Sequence, residues 1–485
     1  MAAQKSRRIL GFSPFQIAFL ALLAGFLVCS LAAFGWYLAS GEEPPRSAAL
    51  PHPAQTSSRS PAPPATVSVP RLLPSATPRL FPSPTWVETV PPVPATFVPT
   101  VSLPQGMTIL HQFGSQPENG RIPYGVLVFE AGVLYGTTTY GGPPYNVEPG
   151  NPANKGNLFR MNLDGSEFKV LHEFHGGDSD GWKPWSGLVI SGDRLYGSTV
   201  YGGPQGEQGG VLYEIGLAGS GFRLLHAFGG PGDGYGASTS PILVGDSLYG
   251  MTRWGGRGVG IVYSYNLTRQ TYTQLYRFPA DGRDGSSPLG TLAAGNDGFL
   301  YGLAWKGGNY DYGTFFRLRL DGSGFEVLHH FTGGSQGKYP YDTPVFDGQE
   351  TFYGTTLGEY GADPSDLGVV FKYHLPDQAY TVLHRFTGGS ADSGKPNGGV
   401  VLSADGSLLY GTTHGDGAWG GREAGNLYQM RVDGSDYRQL YEFTGQLAGE
   451  TPMRTPLLVD GALYGMTAYG GLENYGLIYA YRLLK

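Results

Sequence analysis

Leu134-Tyr135-Gly136-Thr137-Thr138-Thr139-Tyr140-Gly141-Gly142 is one of seven versions of a single phrase. Leu-Tyr-Gly or Phe-Tyr-Gly returns at Tyr196, Tyr249, Tyr301, Tyr353, Tyr410 and Tyr464, at intervals of 61, 53, 52, 52, 57 and 54 residues. Such a period means one supersecondary unit copied in tandem. Residues found in every copy are therefore expected to hold the fold, and function is to be sought where copies differ.

Around the phrase each copy has four apolar segments; in the second they read Gly187–Ser191, Arg194–Val200, Gly210–Leu217 and Phe222–Phe228. Their lengths, their β-branched and aromatic content and their Gly, Pro, Asp or Ser borders are strand signals, with no room for a long helix. Four antiparallel strands per repeat describe a propeller blade. Asp-Gly pairs such as Asp164-Gly165, Asp321-Gly322 and Asp433-Gly434 are expected to give the third-to-fourth hairpins their positive φ angles. A fourth-strand pattern, Leu-His/Tyr-x-Phe, ends on Phe113, Phe174, Phe228, Phe278, Phe331, Phe386 and Phe443. The first of these precedes the first Leu-Tyr-Gly, and the last copy has only three strands. The expected fold is all-β, a seven-bladed β-propeller of four-stranded blades whose last blade is completed by the N-terminal strand Thr108–Phe113. Closure in this way removes an exposed sheet edge; an open solenoid would need polar caps.

Three spaced motifs recur together: Leu-Tyr-Gly-Thr-Thr-x-Tyr-Gly-Gly at 134–142, Gly-x-Leu-Phe-x-x-x-x-Asp-Gly-Ser at 156–166, and Leu-His-x-Phe-x-Gly-Gly-x-x-Asp-Gly-x-x-Pro at 171–184. The unit resembles the GloVer tandem repeat of bacterial surface proteins, over about residues 107–485. The resemblance implies an extracellular propeller-like domain carried by a surface anchor of variable type, and it brings no catalytic residues to transfer. Copies depart from it where Leu303-Ala304 replaces Thr-Thr and where Met251 and Met466 replace the first Thr.

The remainder of the chain reads as a route to the surface. Residues 1–14 would be a cytoplasmic N-terminus and 15–38 a transmembrane anchor. The run Phe15–Leu38 is uncharged and 24 residues long, enough at about 1.5 Å per residue to span roughly 30 Å of hydrocarbon. Lys5, Arg7 and Arg8 precede it and Glu42 and Glu43 follow, so the propeller is expected outside. A cleaved signal peptide is the competing expectation, against which stands the length of the apolar run. Residues 39–106 form a Pro/Ser/Thr-rich linker, with seventeen of the 37 prolines, suited to an extended stalk. The net charge of −7 and pI of about 5.8 give no footprint for nucleic acid. The single cysteine, Cys29, excludes an internal disulfide.

Among candidate sites, the fourth-strand residues His111, His172, His226, His329 and His384 share their slot with Tyr276 and Tyr441, which favours packing plus one hydrogen bond over metal ligation. Asp178-Ser179-Asp180-Gly181, and Asp281 with Asp284, begin like calcium loops but lack the full ligand pattern. Calcium is thus a weak expectation, and no other metal or cofactor is expected. No sialidase box or reactive cysteine is present, so the chain leans away from catalysis. The copies differ most between strands two and three, at Tyr140–Lys155, Gly358–Leu367 and His414–Ala424, on the rim expected to carry the inter-blade connections. Tyr145, Trp182, Trp185, Trp305, Tyr310 and Trp419 are the non-repeating aromatics there and form the candidate ligand-binding set. The expected role is a membrane-anchored binding or adhesion module for a polysaccharide or a surface protein. A propeller hydrolase or lyase acting on polysaccharide and a structural cell-surface component are the alternatives.

Overall fold

The computed structural model describes residues 106–114, 120–141, 155–255, 259–359, 366–415 and 425–483. The expected anchor at 15–38, and the linker apart from Gly106, lie outside the described residues. Among the described residues no helix is long and apolar enough to cross a membrane.

Seven antiparallel sheets follow one another along the chain, each a blade. The first consists of Val128–Glu130, Val133–Thr138, Asn157–Asn162 and Lys169–Glu173, and the next five repeat the order. The seventh takes Leu457–Val459, Ala462–Tyr469 and Leu477–Arg482 from the end of the chain and its fourth strand, Met107–Gln112, from the beginning, with Met107 opposite Tyr481. The chain thus forms a closed seven-bladed propeller.

The Leu-Tyr-Gly phrase has a different partner for each residue. Side chains alternate along a strand, so Leu134 faces the seam with the seventh blade while Tyr135 faces the seam with the second. The same division holds around the ring, for instance Leu248 toward the second blade and Tyr249 toward the fourth. The core is accordingly seven apolar clusters, one in each seam between neighbouring blades.

Gly136 pairs across the sheet with Phe159, and the six equivalents pair with Tyr213, Tyr263, Phe316, Phe371, Tyr428 and Tyr479. Each third-strand ring lies over its glycine so closely that an added Cβ would stand 2.5–2.6 Å from the ring Cζ in all seven blades. These glycines are therefore required for space, not for an unusual backbone angle.

The two threonines that follow have separate duties. Where the first is kept it bonds the next blade: the hydroxyl of Thr137 donates to the carbonyl of Ser186 (3.1 Å), Thr355 to Gly398 (2.9 Å) and Thr412 to Arg454 (3.1 Å). Where Met251, Leu303 or Met466 stands instead, the side chain is buried in a seam. The second threonine ties its own blade, as when Thr138 donates to the Tyr140 carbonyl (2.9 Å) and accepts from the Asn157 amide (3.1 Å).

The outer strands bear the histidines. Six of the seven slot residues stack face to face on an aromatic ring of the following blade, at centroid distances of 3.6–4.0 Å: His111 on Phe168, His172 on Phe222, His226 on Tyr272, Tyr276 on Phe325, His329 on Tyr380 and His384 on Tyr437. The polar tip then meets the acidic turn: His172 with Asp180 (3.2 Å), His226 with Asp233 (2.9 Å), Tyr276 with Asp284 (2.6 Å) and His384 with Asp392 (2.8 Å). The hairpin turns differ from expectation in one respect. Gly165 takes the positive φ, of 91°, but Asp164 does not; its carboxylate instead accepts from the amide (2.9 Å) and hydroxyl (2.6 Å) of Ser166.

Two predictions follow from the seams. Gly354→Ala should lower unfolding free energy by about 1–3 kcal/mol, seen as a shifted denaturant midpoint, whereas Gly132→Ala, where nothing lies within 4 Å, should cost less despite its positive φ. Burial pushes His111 down to about 4, and burial together with the neighbouring His330 pushes His329 down to about 4. The unfolded chain then takes up protons near pH 6.5 that the folded ring refuses, so stability is full above 6.5 and is lost as pH falls toward 4. His329→Phe, which keeps a ring for the Tyr380 stack, should flatten that pH profile in thermal melts between pH 4 and 7.

Candidate functional site at the mouth of the ring

Before each first strand the chain crosses from one blade to the next and turns into the ring. The turn is made by a residue of positive φ at the same place in every blade: Ile122 (53°), Lys183 (55°), Gly236 (69°), Ser287 (52°), Tyr339 (60°), Lys395 (58°) and Thr451 (62°). Six of these are not glycine, and all six precede proline. Left-handed conformations in such residues are sparsely populated and persist only where the surroundings hold them. Backbone bonds supply that hold; Lys183, for example, donates its amide to the Lys155 carbonyl (2.8 Å) and accepts from the Val200 amide (3.2 Å).

The turn delivers one side chain per blade to the centre: Tyr124, Trp185, Ser238, Leu289, Tyr341, Asn397 and Met453. Tyr124 and Tyr341, from the first and fifth blades, meet through their hydroxyls at 3.3 Å. The Arg454 guanidinium lies 5.1 Å from the first ring and 5.5 Å from the second, and donates to the Tyr124 carbonyl (3.2 Å). Trp185 stacks on Tyr124 at 5.5 Å, and Met453 joins the same cluster.

Beneath them, inner-strand hydroxyls bond blade to blade. The Gly187 amide donates to Ser240 Oγ (2.7 Å), the Ser240 amide to Thr291 Oγ1 (3.2 Å) and the Thr291 amide to Thr343 Oγ1 (3.2 Å). Asp342, only 4 % exposed, continues the belt: it accepts from the amides of Thr343 (2.8 Å) and Gly399 (3.0 Å) and from the hydroxyl of Thr455 (3.0 Å), with Arg454 Nη1 at 3.7 Å. This carboxylate joins the fifth, sixth and seventh blades and is fully engaged, which leaves it no free lone pair for general-base work. Asp342→Ala would remove the buried acceptor shared by Thr343, Gly399 and Thr455 and the charge partner of Arg454, at a cost of about 3–5 kcal/mol. Adding Arg454→Met should restore part of that loss in denaturant titrations.

Around this floor stands a crown of half-buried aromatics alternating with cations. Trp182 pairs with Tyr201 across a short ribbon, their rings 4.6 Å apart. Lys183 Nζ lies 5.2 Å from each of these rings and 5.4 Å from Tyr140. Farther round, Arg253 lies between Trp254 (4.6 Å) and Trp305 (5.5 Å), and Lys306 between Trp305 (4.7 Å) and Tyr339 (6.0 Å). Lys338 covers Tyr312 and Tyr339 and is paired with Glu359 and with Asp366 (3.3 Å). Burial, then the nearby Lys395 cation, lowers His414 to about 4, so this imidazole is neutral at pH 7.

Several polar atoms of this region are buried without a hydrogen-bond partner among the described residues: Thr139 Oγ1, Trp185 Nε1, Ser238 Oγ, Arg253 Nε and Asn397 Oδ1. Ser238 is 3 % exposed and Asn397 1 %.

Trp182, Trp185 and Trp305, taken from the sequence, thus share the mouth. Tyr310 stands apart: it is 55 % exposed, and the amide of neighbouring Asn309 donates to His330 on the outer strand (3.2 Å). Tyr145 and Trp419 lie outside the described residues. The inner-slot residues other than Trp185, together with Arg454 and Asp342, were missed; their signal is the position 11 to 13 residues before each Leu-Tyr-Gly tyrosine, where identity changes from copy to copy. The acidic turns spend carboxylates on the outer-strand His and Tyr tips. Among the described residues no group of three or more His, Cys, Asp or Glu could hold a metal ion.

No curated protein matches the chain. Among solved structures it is similar to an oligogalacturonate lyase of Vibrio parahaemolyticus (12 % identity, 78 % of this chain and 94 % of that one, TM-score 0.48). It is also similar to a putative 6-phosphogluconolactonase of Bacteroides uniformis (13 %, 69 % and 89 %, 0.44) and to TolB of Acinetobacter baumannii (15 %, 59 % of each, 0.34). Likenesses this remote carry no argument about activity. The family match is of another order, since the Gloeobacter/Verrucomicrobia repeat covers residues 146–363 and 358–485. The chain belongs to the Gloeobacter/Verrucomicrobia repeat family.

Proposed function

We propose that this propeller is a glycan-binding module, displayed outside the membrane by the 15–38 segment and the linker that follows. One observation carries the assignment: half-buried aromatic faces surround a floor in which Trp185 Nε1, Ser238 Oγ and Asn397 Oδ1 are buried without a partner among the described residues. A sugar ring has both complements. Its C–H face packs on Trp and Tyr rings, and its hydroxyls donate and accept at groups such as Trp185 Nε1, Ser238 Oγ and Asn397 Oδ1. Buried polar groups call for a partner, and a polyhydroxylated ligand fits this mixture of donors and acceptors. The engaged Asp342 favours binding over hydrolysis or elimination at this mouth.

The full-length chain in detergent micelles, applied to a glycan array, should retain a restricted set of polysaccharides. Trp182→Ala and Trp305→Ala should each weaken that binding about tenfold or more, in keeping with the 1–3 kcal/mol of an aromatic contact, while circular dichroism melts stay within a few degrees. Unchanged binding in both variants would remove the mouth from consideration.

A further inference from the structure

The chain carries a net charge of −7, yet the mouth gathers positive charge. Lys338 and Arg454 have carboxylate partners there. Among the described residues Lys155, Lys183, Arg253 and Lys306 have none; each is held instead against aromatic faces, at 4.6–6.0 Å from the ring centroids. These cations come from the first four blades, three of them (Lys183, Arg253 and Lys306) within the arc from Trp182 to Tyr339. An aromatic face fixes a cation's position without neutralising it, so the charge stays available to a ligand. Arg253 adds a second observation, for its Nε is buried without an acceptor among the described residues.

We propose that the ligand of this mouth is an acidic glycan, whose carboxylate or sulfate groups pair with Lys183, Arg253 and Lys306 while its sugar faces rest on the neighbouring rings. The inference rests on the glycan-binding reading and adds the sign of the ligand's charge. Guanidinium and ammonium groups placed beside half-buried indole and phenol faces meet a saccharide that alternates apolar faces with anionic substituents. The neutral donors and acceptors of the floor suit hydroxyls. The acidic remainder of the chain disfavours the long backbone contacts of a nucleic acid.

The test uses the full-length chain and two matched pairs: alginate against carboxyl-reduced alginate, and dextran sulfate against dextran. Within a pair the polymers differ in charge. Single-stranded DNA and poly-glutamate serve as anionic polymers without sugar faces of the same kind. The expected result is binding to at least one acidic glycan at least tenfold tighter than to its neutral partner, weakened by added salt, with the two pairs separating carboxylate from sulfate. The combined variant Lys183→Gln, Arg253→Gln, Lys306→Gln should remove that preference, bringing the charged polymer to the affinity of its neutral partner; Lys183→Arg should preserve it. Equal binding of charged and neutral partners would overturn the acidic preference but leave glycan binding standing. Failure to bind any glycan would overturn both. Equal binding of DNA or poly-glutamate would show that charge alone is read and would also overturn the proposal.

Discussion

A ring laid over a glycine is the contact on which this protein is built. It fixes the register of the second and third strands in every blade, because only Gly136 and its six equivalents leave room for the ring opposite. With that register set, Leu and Tyr of the same phrase must face opposite seams, and the seams become the core. Each blade therefore supplies half of two apolar clusters and completes neither alone. Stability resides between blades, as in other repeat architectures where the neighbour interface supplies much of the folding energy.

How much of this can be read from sequence depends on whether the determinant is local and repeated. Leu-Tyr-Gly, the aromatic third strands and the outer-strand histidines recur at near-constant spacing, so blade number, strand order and closure by Met107–Gln112 were all legible. The partner of the histidines was half legible. The acidic turns were visible, but their service to His172, His226, Tyr276 and His384 depends on a fold-back of seven or eight residues that resembles a calcium loop until the contact is seen. The mouth was least legible. Tyr124, Tyr341 and Arg454 meet from blades far apart in the chain, and their slot varies both in residue and in distance from the repeated phrase. Trp182 and Trp305 stood out as unmatched aromatics with Lys183 and Lys306 directly after them, but the reach of those cations and of Arg253 to Tyr140, Tyr339 and Trp305 on neighbouring blades depends on the fold.

The division of labour is physical. One backbone turn, with the same left-handed residue, is made seven times, while the side chain it delivers is tyrosine, tryptophan, serine, leucine, asparagine or methionine. Backbone bonds hold the turn, and the belt of hydroxyls below ties blade to blade. The residues above are thereby released from any duty to hold the ring closed, apart from the Arg454–Asp342 tie. Variation can accumulate at the mouth without disturbing the seams, and this is how a rigid scaffold comes to carry a changeable surface.

The seventh blade differs from the other six in time. Strand Met107–Gln112 is synthesised before any blade exists, and its partner, Leu477–Arg482, is the last strand of the ring to be made. Six blades can assemble in order as the chain emerges, each on its predecessor. The opening strand meanwhile waits with Ile109 and Phe113, both destined for burial, exposed to whatever else will pair with them. Pairing of such sequence-distant segments is slow and leaves edges open to wrong partners. The closure that protects the finished ring therefore makes its birth the vulnerable period, and the wait lasts as long as translation of nearly the whole domain.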